Sequence, residues 1–72
     1  MRESITMQLV INGEARDFGP PLTLADLVDQ LGMKADRVAI ELNRSIVARD
    51  QWVKTSLAEG DRLEIVHFVG GG

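Results

Sequence analysis

The group in this sequence best placed to react is the α-carboxylate that follows Gly70-Gly71-Gly72. A glycine-only terminus has no side-chain chemistry, and without Cβ atoms it reaches backbone angles closed to other residues. Such an end threads a narrow cleft and lies flat against another protein's backbone, where a bulkier ending would clash. The chemistry on offer is acyl chemistry at Gly72, with Gly70 and Gly71 as the thread that enters a partner's active site. A carboxylate is a poor electrophile until one oxygen becomes a leaving group, so activation has to come from another molecule. The plain alternative is a frayed terminus without a role.

No other residues compete for a catalytic role. The single histidine, His67, lies in an apolar, strand-like run, where an imidazole is a packed or rim residue. The acids from Glu14 to Glu64 are scattered, and none of their spacings matches a calcium loop or an HExxH site. Ser45 has no nucleophile-elbow context. The terminal glycines are not a phosphate loop, because no helix follows to supply amide donors. With no cysteine, disulfides, thiolate metal sites and cysteine nucleophiles are excluded. The pattern is that of a non-catalytic protein acted upon by others, binding no metal or cofactor of its own.

The 72 residues suffice for one small domain, burying roughly 60% of its unfolded surface. Its stability should be about 4–11 kcal/mol. An apolar fraction of 44% and a charged fraction of 26% fit a packed globular chain. Eleven acids against eight bases give a net charge of -3 without a basic cluster, which argues against nucleic acid and mildly favours a basic protein surface. No apolar run exceeds three residues, so no membrane span is expected. The opening Met1-Arg2-Glu3-Ser4-Ile5-Thr6 lacks the apolar stretch of a signal peptide, and a cytoplasmic monomer is expected. Residues 1–6 are polar and patternless, which predicts a flexible extension ahead of a possible natural start at Met7, with the domain over 7–69 and a flexible tail over 70–72.

The elements that would position the tail follow from periodicity. Met7, Leu9 and Ile11 alternate with Gln8, Val10 and Asn12, a strand period, and Asn12-Gly13 predicts a type I′ hairpin into Ala15–Phe18. Gly19-Pro20-Pro21 ends that pairing. Thr23 and Asp26 form a short capping box, Leu22 and Leu27 a hydrophobic staple. Leu24, Leu27, Val28 and Leu31 make one apolar helical stripe, with Gly32 as the stop. Val38, Ile40 and Leu42 predict a third strand, Asn43-Arg44 a tight turn into Ile46-Val47-Ala48, and Arg49–Trp52 an irregular turn with Trp52 as a lid on the core. Gly60-Asp61 turns the chain into a final strand, 62–69, apolar enough to sit centrally. The count is an α+β roll: one main helix on one face of a mixed four- to five-stranded sheet. Alternation along the last strand places Leu63, Ile65, His67 and Val69 toward the helix, and Arg62, Glu64, Val66 and Phe68 on the open face. These last four, beside the tail, are the expected partner-docking residues.

Met7–Asn12 with its NG turn, Ala39-Ile40-Glu41-Leu42-Asn43, Ile46-Val47, Arg49-Asp50-Gln51-Trp52, Gly60-Asp61-Arg62-Leu63-Glu64-Ile65 and the terminal diglycine together resemble the ThiS family over residues 7–72. The resemblance implies a β-grasp, ubiquitin-like fold and a sulfur carrier of thiamine biosynthesis. It implies that a ThiF/MoeB-like adenylating enzyme consumes ATP to adenylate Gly72. A cysteine-derived persulfide donor then leaves a thiocarboxylate, and thiazole synthase takes the sulfur for the thiazole ring. Arg44 stands where the family's hairpin usually has glycine, and Ala48 where proline is common; both affect turn geometry and leave the tail chemistry intact. The diglycine is also shared with carriers for molybdopterin, tRNA thiolation or cysteine synthesis, and with ubiquitin-like modifiers, which remain the competing readings.

Overall fold

The computed structural model describes residues 5–68. Residues 1–4, most of the expected extension, and the tail Gly70–Gly72 with Val69 lie outside them. Within that span five strands form one sheet in the order β2-β1-β5-β3-β4. They are β1 (Met7–Ile11), β2 (Glu14–Phe18), β3 (Val38–Leu42), β4 (Ser45–Ile46) and β5 (Arg62–His67). The helix α1 (Leu24–Gln30) and two 3-10 turns, Ala35–Arg37 and Arg49–Lys54, complete the set. The last strand takes the central place that its apolar content predicts.

Local chemistry explains the elements. Asn12 and Gly13 both have positive φ, 50° and 85°, which is the type I′ condition for joining β1 to β2. In α1 the capping box is complete: the Thr23 hydroxyl accepts from the Asp26 N–H at 3.1 Å, and the Asp26 carboxylate accepts from the Thr23 N–H at 3.0 Å. A seven-residue helix is too short to stand alone. It is held by burial of Leu24, Leu27 and Val28 and by main-chain bonds to the 55–57 segment, Leu24 N–H to the Thr55 carbonyl and Leu57 N–H to the Leu22 carbonyl, both 2.9 Å. Leu31 caps the helix and Gly32, at φ 72°, turns the chain away. The Pro20–Pro21 peptide bond is cis.

One core lies between sheet and helix. Leu9, Leu24, Leu27, Ile40 and Leu63 are its fully buried centre, ringed by Met7, Ile11, Val38, Ile65 and others. Trp52 closes one end, as expected of a lid, with its indole N–H donating to the Val47 carbonyl at 2.9 Å. The irregular turn expected there is an ordered 3-10 helix. The strand expected over 46–48 is shorter: β4 is only Ser45–Ile46, since Val47 turns its carbonyl to Trp52. His67 has the same parity as Leu63 and Ile65 but is exposed, because the core ends at Ile65.

The sheet is mixed because β5 runs parallel to β1 and antiparallel to β3. The parallel pairing covers only Val10 with Arg62 and Ile11 with Leu63, because β1 then turns at Asn12. The Asn12 side chain continues the ladder in place of a strand. Its Oδ1 accepts from the Ile65 N–H at 2.8 Å, and its Nδ2 donates to the Ile65 carbonyl at 3.2 Å. On the other flank Asn43, also at φ 50°, accepts from the Arg62 N–H at 3.0 Å and donates to Asp61 at 3.0 Å.

Two stability outcomes follow. Asn12→Ala removes both Ile65 bonds and puts alanine in a left-handed turn; each effect is worth roughly 1–2 kcal/mol, so a loss of about 3 kcal/mol is expected in urea unfolding. Arg44 holds φ 74° in the second hairpin, a conformation natural for glycine. Arg44→Gly should raise stability by about 0.5 kcal/mol, relief of left-handed strain exceeding glycine's extra chain entropy. A lower unfolding midpoint for that variant would show instead that the arginine side chain supports the turn.

Candidate functional site

The parity of β5 divides the molecule. Leu63 and Ile65 enter the core, while Arg62, Glu64, Val66 and Phe68 stand exposed on the opposite face. The four residues expected to form a docking surface are therefore together on the open side of the sheet. Val66 is 56% exposed and Phe68 52%. The main-chain ladder is carried to the last described residue, where the Phe68 N–H donates to the Arg37 carbonyl at 2.7 Å. Gly70, Gly71 and Gly72 follow in the chain and lie outside the described residues.

Register across the sheet adds neighbours that alternation along one strand does not reveal. Ala39 faces Val66 and Glu41 faces Glu64 between β3 and β5; Ile46 of β4 faces Glu41. Ile46 is 77% exposed, the most exposed large apolar side chain on this face. Ala39, Glu41, Ile46, Glu64, Val66 and Phe68 line a shallow groove of about 200 Å³. Beside it, Arg44 and Arg62 line a second depression of about 360 Å³, with Val10 and the same two glutamates. An exposed apolar patch with a charged rim is the composition of a protein-binding surface. Glu41, Ile46 and Arg44 were not singled out from the sequence for this face. The signal existed in part: Val38, Ile40 and Leu42 facing inward forces Ala39 and Glu41 outward. Placing Ile46 also needed the β3–β4 register.

At the end of the sheet where β5 begins, the polar groups serve structure. Asp61 accepts from the Ala58 N–H at 2.8 Å and from Asn43, fixing the turn that starts β5. Gln8 N–H donates to Glu59 at 2.9 Å and its carbonyl accepts from Gly60 at 2.8 Å, docking that turn against β1. Arg49 is exposed near Trp52, at the edge of the core. Among the described residues no cluster of His, Asp or Glu is arranged to hold a metal ion, and no helix is long and apolar enough to cross a membrane.

This arrangement has relatives. The model of the ThiS family matches residues 9–72. The sulfur carrier protein ThiS of Escherichia coli is 29% identical over 66 residues, covering 92% of this chain and 100% of that protein. A thiazole synthase of Paramagnetospirillum magneticum is 44% identical over 66 residues, again 92% of this chain. The chain spans only about a fifth of the length of that synthase and of a second from Magnetococcus marinus. Among solved structures, the crystal structure of the thiamine biosynthesis protein ThiS from Geobacter metallireducens superposes with a TM-score of 0.79 at 30% identity, covering 92% of this chain and 100% of that one. The fold is thus the β-grasp, and with sequence and backbone matched over nearly their whole length, this chain belongs to the ThiS family.

Proposed function

We propose that this protein is a non-catalytic sulfur carrier of thiamine biosynthesis whose Gly72 carboxylate is its working group. The observation that carries the reading is the delivery of the tail by the middle of the sheet. The strand β5 is paired on both sides, its ladder reaches Phe68, and the apolar Val66 and Phe68 stand exposed just ahead of the glycines. A partner that seats on this face receives the tail at a fixed origin. Four residues separate Phe68 from the terminal carboxylate, and fully extended they reach at most about 14 Å. The adenylation site must lie within that radius of the docked face.

In this reading an adenylating enzyme binds Arg62, Glu64, Val66 and Phe68 and draws in Gly70, Gly71 and Gly72. A carboxylate oxygen of Gly72 attacks the α-phosphorus of ATP, pyrophosphate leaves, and an acyl-adenylate remains. The outer sulfur of a cysteine-derived persulfide attacks the acyl carbon and AMP leaves. A partner thiol then cleaves the resulting S–S bond, leaving a thiocarboxylate on Gly72. Cations and oriented donors are needed to offset phosphate charge in the first step. A chain of net charge -3 is a poor source of them, so the partner supplies them. Thiazole synthase is the acceptor of the sulfur, a reading supported by the similarity to part of two proteins of that name. The protein works in the cytoplasm and is a monomer between encounters.

Incubation with ATP, the adenylating enzyme and a sulfur donor should change the intact mass by one oxygen exchanged for one sulfur, located on Gly72. An unchanged mass with partners of proven activity would refute the carrier role, and ladders of higher-mass conjugates would indicate a protein modifier. Gly71→Val should abolish adenylation while leaving thermal unfolding at the wild-type temperature, since a side chain at that position obstructs threading and the core of the described residues is built from Met7 to Ile65.

A further inference from the structure

The open face carries its charges in a strict order. At one end are Arg44 and Arg62; next comes a cross-strand row of Ile46, Glu41 and Glu64; then the apolar Val66 and Phe68, nearest the tail. We propose that this order is read by the adenylating partner, whose docking surface presents the complement: an acidic end, a central arginine or lysine over Glu41 and Glu64, and an apolar end. The inference rests on the carrier reading and adds the chemistry of the partner's surface and the direction in which it seats.

The central pair is the strongest element of the argument. Glu41 and Glu64 are direct cross-strand partners. The Phe68 N–H bonds to Arg37, and the Asn43 N–H bonds to Arg62 at 2.7 Å. Hydrogen-bonded pairs alternate along an antiparallel ladder, so 41 and 64 form one as well, with Cα atoms about 5.5 Å apart. Two like charges directly opposite each other weaken a sheet. In the free domain this pair breaks a local pairing rule, and such departures are expected at functional positions. A guanidinium, planar and with five donors, spans two carboxylates at this spacing better than any other side chain. Arg44 and Arg62 line the adjoining depression with the same two carboxylates, so the face is close to neutral overall while its charges stay segregated.

Segregation matters because an apolar patch alone does not dictate orientation. Ile46, Val66 and Phe68 could seat on a flat apolar surface at several rotations. A tail that reaches at most about 14 Å is productive in only one of them. Charge order selects that rotation, acting on association rate and register more than on total affinity.

The test uses the full chain with its adenylating enzyme. A permuted variant, Glu41→Arg, Glu64→Arg, Arg44→Glu and Arg62→Glu together, keeps the net charge at -3 but reverses the order. Its association rate at low salt should fall at least tenfold. The kcat/KM of the carrier in pyrophosphate release should fall by a similar factor. Glu41→Gln with Glu64→Gln should weaken binding severalfold and flatten its salt dependence. A folded permuted variant that associates at the wild-type rate overturns the proposal; if that variant does not fold, an unchanged affinity and salt slope in the double glutamine variant overturn it. Phe68→Asp separates the two levels. Lost binding there alongside wild-type behaviour of the charge variants sinks only the charge order, whereas wild-type binding by all of them removes this face from the docking reading.

Discussion

Everything in this fold depends on how one strand is held from both sides by neighbours of opposite direction. The parallel neighbour β1 is too short for the task, pairing at only two positions before it turns. An asparagine amide has the same donor and acceptor as a peptide group, so the Asn12 side chain serves as one more rung against Ile65. Its left-handed backbone makes the hairpin turn at the same time. One residue thus ends a strand, starts its return and extends the ladder of another. Asn43 repeats the device on the antiparallel flank, where it bonds Arg62 and Asp61. The start of β5 is therefore clamped at both edges, and the strand enters the sheet at a defined register.

That register separates two kinds of work. Because side chains alternate, the inward residues of β5 fill the core as far as Ile65, and the outward ones remain available for contact. Leu63 and Ile65 join Leu9, Ile40 and the α1 stripe, whereas Glu64, Val66 and Phe68 join Glu41 and Ile46 outside. A one-residue slip would exchange the two sets, burying a carboxylate and exposing leucine. The clamps therefore protect both stability and the identity of the outer surface. On the helix side, Trp52 and the 55–57 segment secure a helix too short to persist alone.

What the sequence made legible is what is encoded over short distances. The Asn12-Gly13 hairpin, the Thr23 and Asp26 capping box, the Gly32 stop and the period-two strands all rest on residues within one turn or one strand of each other, and all are present. The central place of β5 and the outward set Arg62, Glu64, Val66 and Phe68 also follow from composition and alternation. What escaped depends on partners far along the chain. The bond from Asn12 to Ile65 joins residues 53 positions apart, and nothing near Asn12 announces it. The early end of β4 depends on Trp52 drawing the Val47 carbonyl away. Ile46 became part of the candidate site only through cross-strand register, which a single strand's pattern does not contain.

The position of β5 also bears on how the molecule is made. Of the five strands, the one at the middle of the sheet is the last to leave the ribosome. Until residues 62–67 emerge, β2-β1 and β3-β4 are two hairpins with no bridge between them, and an isolated hairpin is only marginally stable. Closing the sheet then requires contacts across nearly the entire length of the chain, which slows folding relative to a helical protein of this size. A chain that stops before that point lacks the strand that joins the two hairpins. Completion of the sheet is thus tied to the same segment that bears Val66 and Phe68.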